Sequence, residues 1–310
     1  MTYDELIAQL AWTPRAEGAP AAKMPRAVVG GMGGSGLPAH AVRFLDNAVP
    51  VVGHRDYGLP EGASTDALYI AISYSGNTVE TLSFAEAAHE KGFPLAVVAS
   101  GGKLVDFARS ISAPLIVVPG GVPPRDALFF LSRALLAHLG DSALQGALAQ
   151  VSFDRAAAEA EGAALAESLA GALPVFYASR KNGFLAAMAK ISFNETAKMP
   201  AFSNVFPELN HNEMQSFDTP APEAVAALAR FVLLRDTNDD PRIVQRMDVF
   251  TDVMRSRGRT VQEVSLGGGA RAATLVRGWY VTYLAALALA RSRNIDPDGV
   301  PLIEDFKRRL

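Results

Sequence analysis

Two loops and four charged side chains in this 310-residue chain have types and spacing suited to gripping an anion and moving a proton. The first loop is glycine-rich. Five of the 26 glycines fall between Gly30 and Gly36, and Gly31-Met32-Gly33-Gly34-Ser35-Gly36 satisfies GxGxxG. Glycine there lets the backbone turn tightly and approach an anion held by amides at the next helix N-terminus. A tight strand–helix turn without ligand is the alternative. The second loop is Ser73-Tyr74-Ser75-Gly76-Asn77-Thr78, whose hydroxyls and glycine suit a neutral donor nest for phosphate oxygens. Asn77 is the expected N-cap of the following helix, with Glu80 as reciprocal partner. A purely structural serine/threonine turn is the other reading. A dinucleotide would use the glycine loop with Asp56, about 20 positions on, against its ribose. That leaves the second loop unexplained, whereas one phosphate shared by both loops uses them all.

The charged residues each carry a structural reading beside a chemical one. Arg125 follows Pro123-Pro124 at an expected helix start, where a cation opposes the macrodipole by about 0.3–1 kcal/mol. Such a cation at the mouth of an α/β crevice points to an anionic partner, although Asp126 offsets it locally. Glu195 has Lys198 at i+3 on an expected helix, a pair worth about 0.2–0.5 kcal/mol. His211 lies between Glu208 and Glu213, which would explain it as a surface ion pair. Lys307-Arg308-Arg309 closes the last expected helix, as dipole complementarity alone asks.

These residues need a scaffold, and the apolar pattern supplies one. Candidate strands at 27–30, 51–53, 67–72, 95–99 and 115–118 alternate with helices near 35–46, 77–91, 103–109 and 125–139. Five strands joined by helical crossovers predict a parallel sheet with helices on both faces. In a flavodoxin-like 2-1-3-4-5 order, the loops after strands one and three meet at the switch point, so the glycine and hydroxyl loops share one crevice. A second α/β unit follows, with a helix over 151–171, a strand at 174–178, a helix at 182–199, strands near 231–234 and 261–264, and a helix over 272–294. The expected domains are 1–150 and 151–310. Residues 200–220, long, irregular and carrying three aromatics, read as a functional loop.

Composition narrows the chemistry. Net charge is −3, so no basic field attracts nucleic acid or anionic lipid. Five histidines and no cysteine give no CxxC or HExxH, so neither metal nor thiol chemistry is expected. MTYDELIAQL lacks the features of a signal peptide, and the apolar stretch 279–290 is too short to span a bilayer. A cytoplasmic protein without nucleic-acid or membrane partners is the expectation.

Seven separated motifs, GMGGSG, ISYSGNTVETLS, SGGKL, GVPPRDAL, NETAKMPAF, FPELNHNEM and IEDFKRRL, together resemble the bifunctional phosphoglucose/phosphomannose isomerase family of double SIS (sugar isomerase) domain proteins. The resemblance implies an α/β fold of two SIS domains, each a flavodoxin-like parallel sheet flanked by helices. It also implies a homodimer that isomerises fructose 6-phosphate with glucose 6-phosphate or mannose 6-phosphate, through an enediol(ate) and without a cofactor. Carried over motif by motif, Gly34, Ser35, Ser73, Ser75 and Thr78 hold phosphate, Glu195 is the base, and Arg125 faces the intermediate. His211 and Lys307 open the sugar ring, His211 from the partner subunit. The residue types suit that chemistry: one desolvated carboxylate can carry a proton between neighbouring carbons, and a fixed cation steadies the enediolate.

Departures from the family pattern bear on specificity. Gly36-Leu37-Pro38-Ala39-His40 stands where relatives commonly read Ala-Ile-Gly-Gly-Asp after the serine, and Ser203-Asn204-Val205 where they often read Trp-Asn-Glu. Asp298-Gly299-Val300 brings no hydroxyl where relatives often have threonine, a change that bears on glucose-versus-mannose discrimination. Two other functions fit some of these residues: a SIS sugar-phosphate sensor without turnover, and an NAD(P) oxidoreductase using GMGGSG and Asp56.

Overall fold

The computed structural model describes residues 1–218 and 225–309, so Thr219 and Pro220 of the expected functional loop and Leu310 of the last motif lie outside the described residues. The chain divides into two compact units, Met1–Val151 and Ser152–Leu310. The first contains α1 (Tyr3–Ala11), β1 (Ala16–Glu17), β2 (Arg26–Gly30), α2 (Leu37–Phe44), β3 (Val51–His54), β4 (Ala67–Ser73), α3 (Val79–Glu90), β5 (Leu95–Ala99), α4 (Gly102–Ser110), β6 (Leu115–Val117), α5 (Leu128–Leu139) and α6 (Ser142–Ala149). Its sheet runs β1-β6-β5-β4-β2-β3. Without β1 this is the 2-1-3-4-5 order, with every neighbouring pair parallel.

All seven residues of β4 are buried, as a central parallel strand covered on both faces requires. On one face, Phe84 of α3 and Leu104 and Val105 of α4 pack against Val28, Tyr69, Ala71 and Val97. β1 was not legible, since two residues carry no periodicity. It pairs antiparallel with β6 and covers what would be an open sheet edge.

Nine of the twelve residues of α5 are buried, among them His138, whose Nε2 lies 3.1 Å from the Val97 carbonyl oxygen. Burial lowers its imidazole pKa to about 4. The unfolded chain takes up this proton near pH 6.5 and the folded chain near 4, so between those values the unfolded state binds more protons. Stability is therefore expected to fall as the pH drops through that window, by about 3 kcal/mol in full. Urea midpoints that do not move between pH 7 and 4.5 would contradict this.

The second unit contains α7 (Arg155–Ser168), β7 (Leu173–Ser179), α8 (Gly183–Glu195), β8 (Phe202–Phe206), β9 (Ala229–Arg235), α9 (Pro241–Ser256), β10 (Thr260–Ser265), α10 (Arg271–Ser292) and α11 (Pro301–Arg308). Its sheet order, β10-β9-β7-β8, is a parallel 2-1-3-4. Phe206, Phe231, Phe250 and Tyr177 fill one core layer.

Two expectations need correction. The segment expected to be irregular begins with β8, which pairs with β7. Only one of its five residues is buried, so an edge strand with Ser203 and Asn204 at its centre gives no apolar signal. The apolar stretch judged too short for a membrane belongs to the 22-residue α10, long and apolar enough by length and composition. Fifteen of those residues are buried inside the protein, so α10 is a core helix.

Candidate active site

In a parallel sheet the βα loops emerge together at the carboxyl edge, and in the first unit they interlock. The glycine loop forms a 3₁₀ turn, Gly33–Gly36, ahead of α2, with Pro38 accommodated in the helix's first turn. The hydroxyl loop joins β4 to α3. Ser35, 6% exposed, accepts the Tyr74 amide with its Oγ at 2.9 Å, tying the two loops together. A Cβ on Gly34 would stand 2.7 Å from the Pro124 carbonyl and 2.8 Å from the Arg125 nitrogen. Glycine is thus needed there so that the turn bearing Arg125 can lie against the loop.

Within the hydroxyl loop, Ser73 is buried and braces its neighbours. It donates to Thr78 Oγ1 at 3.0 Å and accepts the Gly76 amide at 3.1 Å. Ser75 Oγ accepts the Asn77 amide at 3.3 Å, which leaves its proton for a ligand. Among the described residues the hydroxyl protons of Ser35, Ser75 and Thr78 have no acceptor, while that of Ser73 is engaged inward. The N-cap of α3 is Thr78, not Asn77. The Asn77 side chain instead donates to the Ser75 carbonyl (3.1 Å) and accepts the Lys103 amide (3.2 Å), pulling the loop after β5 into the cluster. Among the described residues no side chain caps the first-turn amides of α3, so the helix presents donors and the positive end of its dipole.

Arg125 is 6% exposed, in the 3₁₀ turn Pro124–Ala127 that leads into α5. Buried Gln9 of α1 holds that turn: its Nε2 donates to the Asp126 carbonyl (2.7 Å) and its Oε1 accepts the Phe130 amide (3.3 Å). Asp56 is exposed and accepts the amide of Tyr57, its own neighbour. The first unit thus brings Gly34, Ser35, Ser73, Ser75, Thr78 and Arg125 into one loop cluster.

In the second unit Glu195 is the last residue of α8, where an acidic side chain opposes the macrodipole. Lys198 donates from its ammonium to the Glu195 main-chain carbonyl and, at 3.5 Å, to that of Pro297. Glu195 lines a cleft of about 680 Å³ with Lys190, Asn194, Lys198, Phe202 and the start of α11. Ile303 lines the same cleft, and Lys307 follows four residues later on that face of α11. His211 ends a 3₁₀ turn, Glu208–His211, beyond the opposite end of β8 and lines a separate cleft of about 310 Å³. Neither flanking glutamate pairs with it. Glu208 accepts Asn212 Nδ2, and Glu213 accepts the Tyr177 hydroxyl and Asn204 Nδ2.

Residues 158–310 match the family described as bacterial phospho-glucose isomerase C-terminal SIS domain. Over 291 residues the chain is 34% identical to the bifunctional phosphoglucose/phosphomannose isomerase of Thermoplasma acidophilum, covering 91% of this chain and 89% of that protein. It is 33% identical over 304 residues to the protein of the same name from Caldicellulosiruptor bescii (92% and 89%). The chain belongs to the bifunctional phosphoglucose/phosphomannose isomerase family. Its fold matches that of a hypothetical protein from Thermus thermophilus, with a TM-score of 0.72 at 17% identity over 92% of this chain and 83% of the other.

For a chain of the phosphoglucose/phosphomannose isomerase family, sequence reasoning missed several supporting groups. Arg55, after β3, donates to the Gly36 carbonyl at 3.4 Å and puts a second cation beside the glycine loop. Tyr74 donates to the Pro119 carbonyl (3.1 Å) and accepts the Val122 amide (3.2 Å), bracing the approach to Arg125. Only SGGKL among the motifs hinted at the third loop, where Ser100 donates to the Tyr74 carbonyl at 2.5 Å.

Proposed function

We propose that this protein is a cofactor-independent phosphosugar isomerase that interconverts fructose 6-phosphate with glucose 6-phosphate, mannose 6-phosphate or both, working as a cytoplasmic homodimer. The observation that carries this is the loop cluster of the first unit, with three hydroxyl protons and an uncapped helix N-terminus close to Arg125, in a chain of this family. A phosphate dianion would accept from Ser35, Ser75 and Thr78, with Ser73 holding Thr78 in place and Gly34 letting the Arg125 turn close in. Glu195 moves the proton between C1 and C2, and the Arg125 guanidinium stabilises the enediolate oxygen. Lys307 and His211 serve the ring oxygen and the anomeric hydroxyl.

The dimer has its own support. α8 runs back from the carboxyl edge of the sheet, so Glu195 lies at the amino edge, whereas His211 follows the carboxyl end of β8. The five residues of β8 separate them by roughly 13 Å of strand, further than one sugar ring reaches. One site that uses both groups therefore draws His211 from a second chain. α11 also leaves Leu302 and Phe306 82% and 62% exposed beside Lys307, an apolar face that a subunit interface would cover.

Purified protein given fructose 6-phosphate, with glucose 6-phosphate and mannose 6-phosphate followed separately, is expected to form at least one of them. Saturable phosphate-ester binding with neither product would make it a sensor. Turnover by a monomer in sedimentation would remove the shared histidine.

A further inference from the structure

His211 sits on a stretch with no regular helix or strand: two short 3₁₀ turns, Glu208–His211 and Glu213–Phe217, meeting at Asn212. Such a segment holds a side chain in place only if it is tethered. Part of the tether is apolar, since Leu209 is fully buried and Met214 and Phe217 pack on the same core. The polar part is Glu213. Its Oε1 accepts the Tyr177 hydroxyl at 2.5 Å and its Oε2 accepts Asn204 Nδ2 at 2.6 Å, so both carboxylate oxygens are fixed. The two donors are register partners on neighbouring parallel strands, β7 and β8, and their side chains therefore leave the sheet on one face. Tyr177 is itself immobilised, with Phe206, Phe231 and Phe250 around its ring at 5.6–6.1 Å between centroids. Burial, reinforced by the Glu213 carboxylate, raises the phenol pKa, so the hydroxyl stays a donor. The His211 imidazole has no hydrogen bond or ion pair among the described residues, although the chain is pinned two residues away at Glu213. That combination suits an imidazole held ready for an external oxygen.

We propose that Tyr177, Asn204 and Glu213 form a positioning clamp that sets His211 for sugar ring opening without touching the sugar. The inference rests on the ring-opening role given to His211 above. Its test compares fructose 6-phosphate, which must open, with 5-deoxyfructose 6-phosphate, which lacks the oxygen that closes the furanose ring. Tyr177→Phe and Glu213→Gln are each expected to lower kcat on fructose 6-phosphate about tenfold, with KM and turnover of the open-chain substrate within twofold of wild type. A merely structural role would lower both substrates together, and that outcome overturns the clamp. Glu213→Gln, at a half-buried site, decides the question if Tyr177→Phe fails to fold. His211→Gln, run alongside, separates the two ideas. A selective loss there without one in the clamp variants refutes the clamp alone, and no selective loss in His211→Gln refutes the role assigned to the histidine.

Discussion

Glu195→Gln is expected to lower kcat by about 10³-fold or more while KM for fructose 6-phosphate stays within about threefold. The amide keeps the size and shape of the carboxylate but cannot take a proton, and in the proposed mechanism one group both removes and returns it. General acid–base groups contribute roughly 10²–10⁴-fold each, so a group used in both half-steps belongs at the upper end. Affinity should survive because the phosphate ligands proposed above are loop residues and Glu195 is not among them. The placement of Glu195 favours this reading over simple surface solvation. It closes a helix at the end where a negative charge is least favoured, and it faces a cleft whose lining includes Phe202, Leu302 and Ile303. Deuterium uptake from heavy water into recovered fructose 6-phosphate should vanish with turnover. A Gln variant that still exchanges and isomerises at wild-type rate would show that another group is the base.

Gly76→Ala is expected to abolish saturable sugar-phosphate binding and to cost the first unit about 2–5 kcal/mol. Two separate costs add. Gly76 has a φ of +68°, a left-handed conformation that alanine adopts only at about 1–2 kcal/mol. Its added Cβ would also stand 1.7 Å from the Gly101 carbonyl oxygen, and the obstacle is backbone, so one loop must move away from the other. The Gly76 amide is the donor that Ser73 accepts, so moving it also unsettles the Ser73–Thr78 link. Gly120→Ala is the control, because a Cβ there meets nothing within 4 Å. Denaturant melts and a titration with fructose 6-phosphate would check both variants. Equal behaviour of the two would mean that the interlocked loops do not form the phosphate cradle.

Much of this scaffold was legible because uninterrupted apolar runs such as residues 67–72 have few solutions other than a central parallel strand. The strand order followed from that, and with it the meeting of the first two loops. What local rules missed was every partner distant in sequence. The spacing Asn77-x-x-Glu80 satisfies a capping rule, yet Asn77 is drawn to Lys103, 26 residues on, and the cap passes to Thr78. The glycine run signalled a close approach correctly, but at Gly34 the approaching group is the Arg125 turn. Glu213 looked like a partner for His211 because it is near in sequence; strand register gives it to Tyr177 and Asn204 instead. Ser73, grouped with the phosphate ligands by motif, is buried and donates to Thr78, a link that its place in the motif does not reveal.

The hydrogen bonds of Gln9 bear on the order in which the first unit can be assembled. The turn that carries Arg125 is fastened by a side chain 117 residues earlier in the chain. During synthesis α1 emerges ahead of the sheet strands, and Gln9 lacks these partners until Asp126 and Phe130 follow, when the strands between them have already appeared. Closing so long a loop is entropically unfavourable until the intervening strands have paired. The Arg125 turn should therefore be among the last parts of the unit to become rigid, and among the first to loosen when α1 is disturbed.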